Sequence, residues 1–439
     1  MTAINRLPAF TRRAALRAAV VWSSVLSCAL VPLAAASLPS AKPEDVGFAP
    51  ERLQRIHEMI MRRVEAGDIS GAVTMVARHG RLVHYEAHGL MDIEAKKPMT
   101  KDALFRLASS SKPITATAIL ILMEEGKLKL TDPVSKFIPE FKNSKVAVEA
   151  VRTPAPMTDH GPEAGDRYYT VPANHDITIV DLLTHTSGLG SGGITGPDLQ
   201  KLQQARTPAD TLADFIPRLG ALALDFQPGT QWRYSGLAGF DTLGRIVEIV
   251  SGSTLDQFLR TRLFEPLAMD NTWFNVPEKE RPRIATIYNR TPNGLQTPAA
   301  PPRIGSPVYF SGAGGLTSSA PDYLQFAQML CNGGQLNGKR ILSPWTVDLM
   351  LSNNVGELFE GQIGRPPKGV GFGLGGEVVV NAVDARLRKP SGSYGWDGAF
   401  GTYWWVNRRE QMVVVLFVQT PGRSLQYDFD NAVSQAVVE

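Results

Sequence analysis

The chain has 439 residues, of which 43% are hydrophobic and 20% are charged, a balance typical of a globular enzyme with room for two structural lobes. It carries 45 basic and 42 acidic residues, and four of the basic residues lie before residue 37. The rest of the chain is therefore close to neutral, which argues against a nucleic-acid partner held by a basic surface. Only Cys331 follows residue 36, so no intramolecular disulfide can form in that part.

Residues 1–36 have the order of a bacterial export signal. The basic residues of this segment come first, at Arg6, Arg12, Arg13 and Arg17. An apolar stretch follows to about Ala36, which predicts cleavage near this residue, a periplasmic location and no stable membrane insertion afterwards. The pair Arg12-Arg13 resembles a twin-arginine signal. Retention as an uncleaved anchor is the alternative, because the apolar run is nearly long enough to span a bilayer.

Two hairpins are predicted, one near each end of the chain. Residues 71–78 and 81–87 form the first pair, and residues 401–406 and 411–418 form the second. All four segments are rich in β-branched and aromatic residues and are separated by polar turns. Helical patterns flank the hairpins at residues 50–66 and at about 425–438. Together they predict an α/β (α+β) fold with one antiparallel sheet, built from both chain ends and flanked by helices.

Ser109 and Lys112 are spaced i and i+3 at the start of an apolar helical pattern. This spacing puts both side chains on one helix face, where a desolvated amine can accept the serine proton. Pro113 is tolerated only in a first helical turn, so the helix is predicted to begin near Ser109. The pattern alone is weak, since Ser109 could equally be a helix cap and Lys112 a solvated charge.

The middle of the chain is predicted to be mainly helical. Thr207-Pro208-Ala209-Asp210 resembles a capping box with proline at the first helical position, and it predicts a helix to about Gly220. Further helices are predicted at residues 240–250 and 254–263. We therefore expect a helical lobe of residues 126–284, inserted into a sheet-containing lobe of residues 37–125 and 285–439.

The segment Phe105–Thr115 resembles the nucleophile segment of the class C β-lactamase-like serine hydrolases. That superfamily includes family VIII carboxylesterases, D-alanyl-D-alanine peptidases and class C β-lactamases. Other segments resemble the superfamily in the same order, at residues 181–189, 227–235, 264–269, 313–319 and 371–374. The resemblance covers roughly residues 44–420 and implies the fold of β-lactamases and penicillin-binding proteins.

The resemblance also implies roles for individual residues. Ser109 would be the nucleophile, with Lys112 and Tyr234 sharing the role of base. The backbone N–H groups of Ser109 and Ala399 would form the oxyanion hole. No cofactor is implied. The histidines have no metal-ligand spacing, and His84 and His88, on one face of a strand, are interpreted as packing or surface residues.

Two motifs depart from the β-lactamase pattern. Gly236 stands where Tyr-x-Asn has its asparagine, and Trp396-Asp397-Gly398 replaces Lys-Thr-Gly. In β-lactamases these motifs bind the substrate amide and carboxylate, so their loss favours a carboxylic ester as substrate. Trp396 is predicted to wall an apolar acyl or alcohol pocket. Asp397 is interpreted as a solvated turn residue or a polar substrate contact.

The sequence therefore predicts a serine esterase that acts on a small ester or amide through an acyl-serine intermediate. A β-lactamase, a D-alanyl-D-alanine carboxypeptidase or a transesterase on the same fold is the first alternative. A non-catalytic, penicillin-binding-like sensor is the second, and the intact set of Ser109, Lys112 and Tyr234 argues against it.

Overall fold

The computed structural model describes residues 38–150, 168–299 and 306–439. The export signal predicted in residues 1–36 lies outside these ranges. In the part of the chain that is described, no helix has both the length and the apolar character needed to cross a bilayer. The unit Ala35–Glu439 is compact as a whole, so the lobe boundaries near residues 125 and 285 stay a prediction.

The described residues form helices along the whole chain and one large sheet. The α-helices are α1 (Pro50–Leu53), α2 (Arg55–Glu65), α3 (Lys112–Glu124), α4 (Ile179–Leu183), α5 (Gly196–Gln204), α6 (Leu212–Leu219), α7 (Ala238–Ser251), α8 (Leu255–Leu259), α9 (Ala320–Cys331), α10 (Pro344–Leu351), α11 (Ala382–Ala385) and α12 (Arg423–Ser434). The strands of the large sheet are β1 (Gly71–Arg78), β2 (Arg81–Asp92), β3 (Lys97–Pro98), β4 (Val370–Phe372), β5 (Glu377–Val379), β6 (Tyr394–Asp397), β7 (Tyr403–Asn407) and β8 (Met412–Phe417). Short two-stranded pairs lie outside it, at Leu104–Arg106 with Thr317–Ser319, Lys145–Glu149 with Tyr168–Pro172, Asn289–Thr291 with Gly294–Gln296, and Gln335–Leu336 with Lys339–Arg340.

The large sheet is antiparallel throughout and has the order β4-β5-β6-β7-β8-β1-β2-β3. Strands β1–β3 form one meander and strands β4–β8 form another. The two meanders join where β1 pairs with β8, from Val73 opposite Phe417 to Arg78 opposite Met412. Strands from the two ends of the chain thus lie side by side. The predicted fold class, an antiparallel sheet built from both ends and flanked by helices, is confirmed.

The alternation of side chains along β1 divides the core between the two faces of the sheet. Ala72 and Val76 pack on one face with residues of α2 and α12. Val73 and Met75 point to the other face, where they belong to the larger core that includes α3, α7 and α9. Because strand residues alternate between faces, a nearly all-apolar strand such as β1 predicts helices on both sides.

One predicted helix start is wrong, and another falls in a turn of a different helix type. α6 begins at Leu212 rather than near Pro208, because Thr211 and Asp214 form the capping box that starts it. Thr207 Oγ1 instead donates a 2.6 Å hydrogen bond to Asp210, which closes a separate turn. The helix predicted to begin near Ser109 starts there as a tighter 3₁₀ turn, Ala108–Ser111, and continues as α3 from Lys112.

Candidate active site

Ser109 lies in the 3₁₀ turn that leads into α3. Lys112 and Pro113 are the first residues of that helix, where the missing N–H of proline breaks no hydrogen bond. Ala108, directly before the serine, has a φ of 45°, a left-handed conformation that a residue with a Cβ seldom adopts. The turn therefore presents Ser109 at the N-terminus of a buried helix, where developing negative charge is stabilised.

Lys112 is completely buried, and its amine contacts three groups of the site. Nζ lies 3.2 Å from Ser109 Oγ and donates hydrogen bonds to the Gly236 carbonyl at 2.8 Å and to the Ala313 carbonyl at 2.9 Å. It also lies 4.9 Å from the centre of the Tyr234 ring. The two carbonyls fix the amine beside Ser109, so the structure brings together the serine and lysine that the sequence paired.

Asp241 on α7 fixes the loop that carries one of these carbonyls. Its carboxylate accepts hydrogen bonds from Tyr309 Oη at 2.8 Å, Ser311 Oγ at 2.6 Å and the Ala313 N–H at 3.0 Å. Burial raises the pKa of Asp241, while these donors and the Lys112 charge favour the carboxylate. Sequence reasoning missed this residue. Its one signal is an acidic side chain within the apolar pattern of α7.

Tyr234 is held by the turn that contains His185. The two rings have centroids 4.6 Å apart, and His185 Nδ1 accepts the Ser235 N–H at 3.2 Å. Burial, with the nearby Lys112 charge, lowers the pKa of His185, so its ring is neutral and serves as packing. Within the described residues the buried Tyr234 hydroxyl has no hydrogen-bond partner. Among these residues it makes no hydrogen bond to Ser109 or Lys112, so its share in the role of base stays a prediction.

The turn after β6 is held tightly against the nucleophile segment. A Cβ on Gly398 would lie 2.2 Å from the Leu107 carbonyl oxygen and 2.3 Å from Thr402 Oγ1, so no side chain fits there. Thr402 Oγ1 donates to the Leu107 carbonyl at 3.0 Å and lies 3.1 Å from Ser110 Oγ. Sequence reasoning missed this pair of hydroxyls, because residues 110 and 402 are far apart in the chain.

This contact brings Ala399 to the wall of the cavity that contains Ser109. Among the described residues, neither the Ser109 N–H nor the Ala399 N–H donates to a backbone acceptor. These are the two amides assigned to the oxyanion hole, and that role stays a prediction.

Trp396 and Asp397 lie differently from their predicted positions. Trp396 is only 3% exposed and does not line the Ser109 cavity; its ring packs against Tyr234 with centroids 5.7 Å apart. Asp397 accepts a 2.7 Å hydrogen bond from the buried Arg365, whose Nε lies 2.9 Å from Glu377. Trp396 therefore supports the tyrosine instead of forming the substrate pocket. Asp397 is ion-paired, because a buried guanidinium requires carboxylate partners.

Ser109 opens onto a cavity of about 620 Å³. The cavity lies between the nucleophile segment, the turn at residues 207–210 and the loop at residues 306–317. Most of the side chains that line it are apolar or aromatic, among them Tyr234, Leu237, Phe274 and Tyr309. Two arginines, Arg106 and Arg206, also line it. A cavity of this size accommodates a small organic ester.

Comparisons with known proteins show the family of this chain. The family model described as Beta-lactamase matches residues 56–437. Protein Rv1367c of Mycobacterium tuberculosis is 36% identical over 365 residues, which cover 81% of this chain and 87% of that protein. Esterase EstB of Burkholderia gladioli is 31% identical over 432 residues, covering 92% and 99%.

Among solved structures, EstCE1, described as a hydrolase with promiscuous acyltransferase activity, has a TM-score of 0.72 at 28% identity. The match covers 89% of this chain and 99% of EstCE1. These matches confirm the resemblance found in the sequence. The chain belongs to the beta-lactamase family, among its class C β-lactamase-like serine hydrolases.

Proposed function

We propose that the chain hydrolyses carboxylic esters through a covalent acyl-serine intermediate on Ser109. The observation that carries this proposal is the contact between the buried Lys112 Nζ and Ser109 Oγ, 3.2 Å apart at the edge of a substrate-sized cavity. A serine is a weak nucleophile until a base within hydrogen-bond reach accepts its proton.

The two carbonyl partners of Lys112 suit the neutral amine that acts as the base. A neutral amine has two N–H bonds and one lone pair. With both N–H bonds directed at Gly236 and Ala313, the lone pair faces Ser109 Oγ. Lys112 accepts the serine proton with the help of Tyr234, and Oγ forms a bond to the ester carbonyl carbon. The resulting oxyanion is stabilised by the N–H groups of Ser109 and Ala399.

Collapse of this intermediate breaks the bond to the leaving alcohol. Tyr234 donates a proton to that oxygen, because its hydroxyl has no competing partner among the described residues. Tyr234 recovers a proton from Lys112. Water then takes the place of the alcohol and attacks the acyl-enzyme. The same proton transfers in the opposite direction release the acid and restore Ser109.

An ester is favoured over a β-lactam because the substrate-binding positions have changed. Gly236 has no side chain to bind an amide, and the buried Trp396 cannot bind a carboxylate. The relatives named as an esterase and a hydrolase support the same substrate class. The export signal predicted in residues 1–36 supports action in the periplasm.

The test compares turnover of p-nitrophenyl butyrate and nitrocefin by the wild type, Ser109→Ala and the exposed control Ser352→Ala. We expect a larger kcat/KM for the ester, none above background for Ser109→Ala and normal turnover for the control. A fluorophosphonate should label the wild type and the control only. Failure to label would contradict a serine hydrolase, and a larger kcat/KM for nitrocefin would overturn the ester preference.

A further inference from the structure

A second cluster of chemically active side chains lies on the far side of the sheet from Ser109. His84, Glu86 and His88 alternate along β2, so their side chains share one face. In the pairing with β1, Glu86 lies opposite Thr74 and His88 lies opposite Ala72. That is the face covered by α2 and α12, whereas α3 with its catalytic residues packs on the other face.

Helix α2 adds a third histidine to this face. His57 Nδ1 lies 2.9 Å from Glu86 Oε2, and His88 Nε2 lies 3.7 Å from the same oxygen. His84 Nδ1 lies 3.8 Å from the other carboxylate oxygen. One ligand atom from each of His57, Glu86 and His88 lies within 4.8 Å of the other two. Ligand atoms around a tetrahedral zinc ion are about 3.4 Å apart, so small side-chain shifts bring these atoms to coordination distance.

Thr74 on β1 orients two of the histidine rings towards Glu86. The His88 side chain is fully buried, and its Nε2, the nitrogen that faces Glu86, lies 3.1 Å from Thr74 Oγ1. Thr74 Oγ1 lies 2.7 Å from His84 Nε2 and so holds that ring with Nδ1 towards Glu86. An outer hydrogen bond that orients a histidine ring is a regular feature of metal sites.

The cluster is also accessible from solvent. The side chains of His57 and Glu86 are 43% and 35% exposed, whereas His84 is 5% exposed. A cation can therefore enter beside α2 and contact an already buried histidine. Imidazole nitrogens together with one carboxylate bind zinc in preference to calcium or magnesium, which take oxygen ligands.

We propose that His57, Glu86 and His88, with His84 as a fourth ligand, bind a zinc-type divalent ion that links α2 to β2. The site is separated from Ser109 by the sheet, so the ion stabilises the fold and takes no part in ester hydrolysis. The proposal departs from the sequence-based interpretation of His84 and His88 as packing or surface residues, because His57 joins them and Glu86 only through the packing of α2.

Cobalt binding tests the proposal on full-length protein stripped with EDTA and then freed of the chelator. We expect one Co²⁺ per chain, visible d–d absorption typical of tetrahedral cobalt, displacement by Zn²⁺, and a higher Tm with Zn²⁺. His57→Gln and Glu86→Gln change half-exposed positions, and each should weaken binding at least about tenfold. The control His79→Gln, an exposed histidine outside the cluster, should bind like the wild type.

Equal binding by the wild type, His57→Gln and Glu86→Gln would overturn the proposal, as would the absence of tetrahedral cobalt absorption. Turnover of p-nitrophenyl butyrate should not change when zinc is removed. Loss of turnover on stripping, restored by zinc, would contradict a purely structural ion. Because binding is read from absorption, the result does not depend on the proposed esterase activity.

Discussion

Asp241 shows how a residue outside the sequence motifs fixes the position of Lys112 beside Ser109, the proposed nucleophile. Its carboxylate holds the Ala313 N–H, and the carbonyl of the same residue accepts from Lys112. The motif Ser109-x-x-Lys112 was predictable because three residues of spacing define a helix face. The support of the lysine by residues 236, 241 and 313 was not, because it depends on tertiary packing.

We predict that Asp241→Ala lowers kcat on the order of 10²-fold with a smaller change in KM, because a misplaced lysine slows the chemical step. The substitution also leaves three buried donors without their acceptor, which should reduce the free energy of unfolding by about 1–3 kcal/mol. Steady-state kinetics and urea unfolding measure the two effects, with the exposed Asp384→Ala as control. A normal kcat in a folded Asp241→Ala variant would contradict the positioning role.

Gly398 is the second residue whose role depends on close approach. We predict that Gly398→Ala costs about 1–3 kcal/mol of stability and reduces ester turnover, because its Cβ would overlap the Leu107 carbonyl. Gly422→Ala is the matched control, since an added Cβ there meets nothing within 4 Å. Thermal unfolding and kcat/KM should change only in the first variant. Equal behaviour of the two variants would show that the turn after β6 has room to move.

At the scale of elements, the packing of α12 on the sheet depends on a buried carboxyl group. Asp430 accepts hydrogen bonds from Tyr403 Oη at 2.7 Å and Trp405 Nε1 at 2.8 Å, both on β7. Burial raises the pKa of Asp430 to about 6, from 3.8 for an ordinary aspartate. The carboxyl group of Asp430 therefore binds its proton more tightly in the folded protein than in the unfolded chain. Its protonation adds to the free energy of unfolding below about pH 4, and this contribution is lost as the pH rises through about 6.

We therefore predict that Asp430→Asn gains stability relative to the wild type, by roughly 3 kcal/mol between pH 4 and pH 7. The asparagine stays neutral, so it does not lose stability over this range as the aspartate does. Urea unfolding at several pH values measures the difference, with the exposed Asp384→Asn as control. A constant difference between the variant and the wild type would mean that Asp430 titrates normally in the fold.

The elements themselves were predicted unevenly. The hairpins at β1–β2 and β7–β8 were predictable because alternating and β-branched runs have few other conformations. The start of α6 was wrong because Thr207 and Thr211 both precede an aspartate by three residues, and only the second pair caps the helix. Local propensity does not decide between two such caps.

At the scale of the whole molecule, the sheet separates Ser109, the proposed nucleophile, from the histidine cluster on β2. The nucleophile segment contacts the turn after β6, while β1 and β2 carry the far cluster on their opposite face. The antiparallel sheet was predictable from the two terminal hairpins. The position of Trp396 behind Tyr234 was not, because the sequence shows an aromatic residue near the site but not the side on which it packs.

In the proposed mechanism Ser109 is acylated during ester turnover, and mass spectrometry is the most direct test of this step. The protein is quenched in acid while it hydrolyses p-nitrophenyl butyrate, and its intact mass and peptide map are then measured. We predict one butyryl group per chain, located on the peptide that contains Ser109 and absent from Ser109→Ala. A butyryl group on another residue would contradict Ser109 as the nucleophile. Turnover by Ser109→Ala at the wild-type rate would contradict it equally.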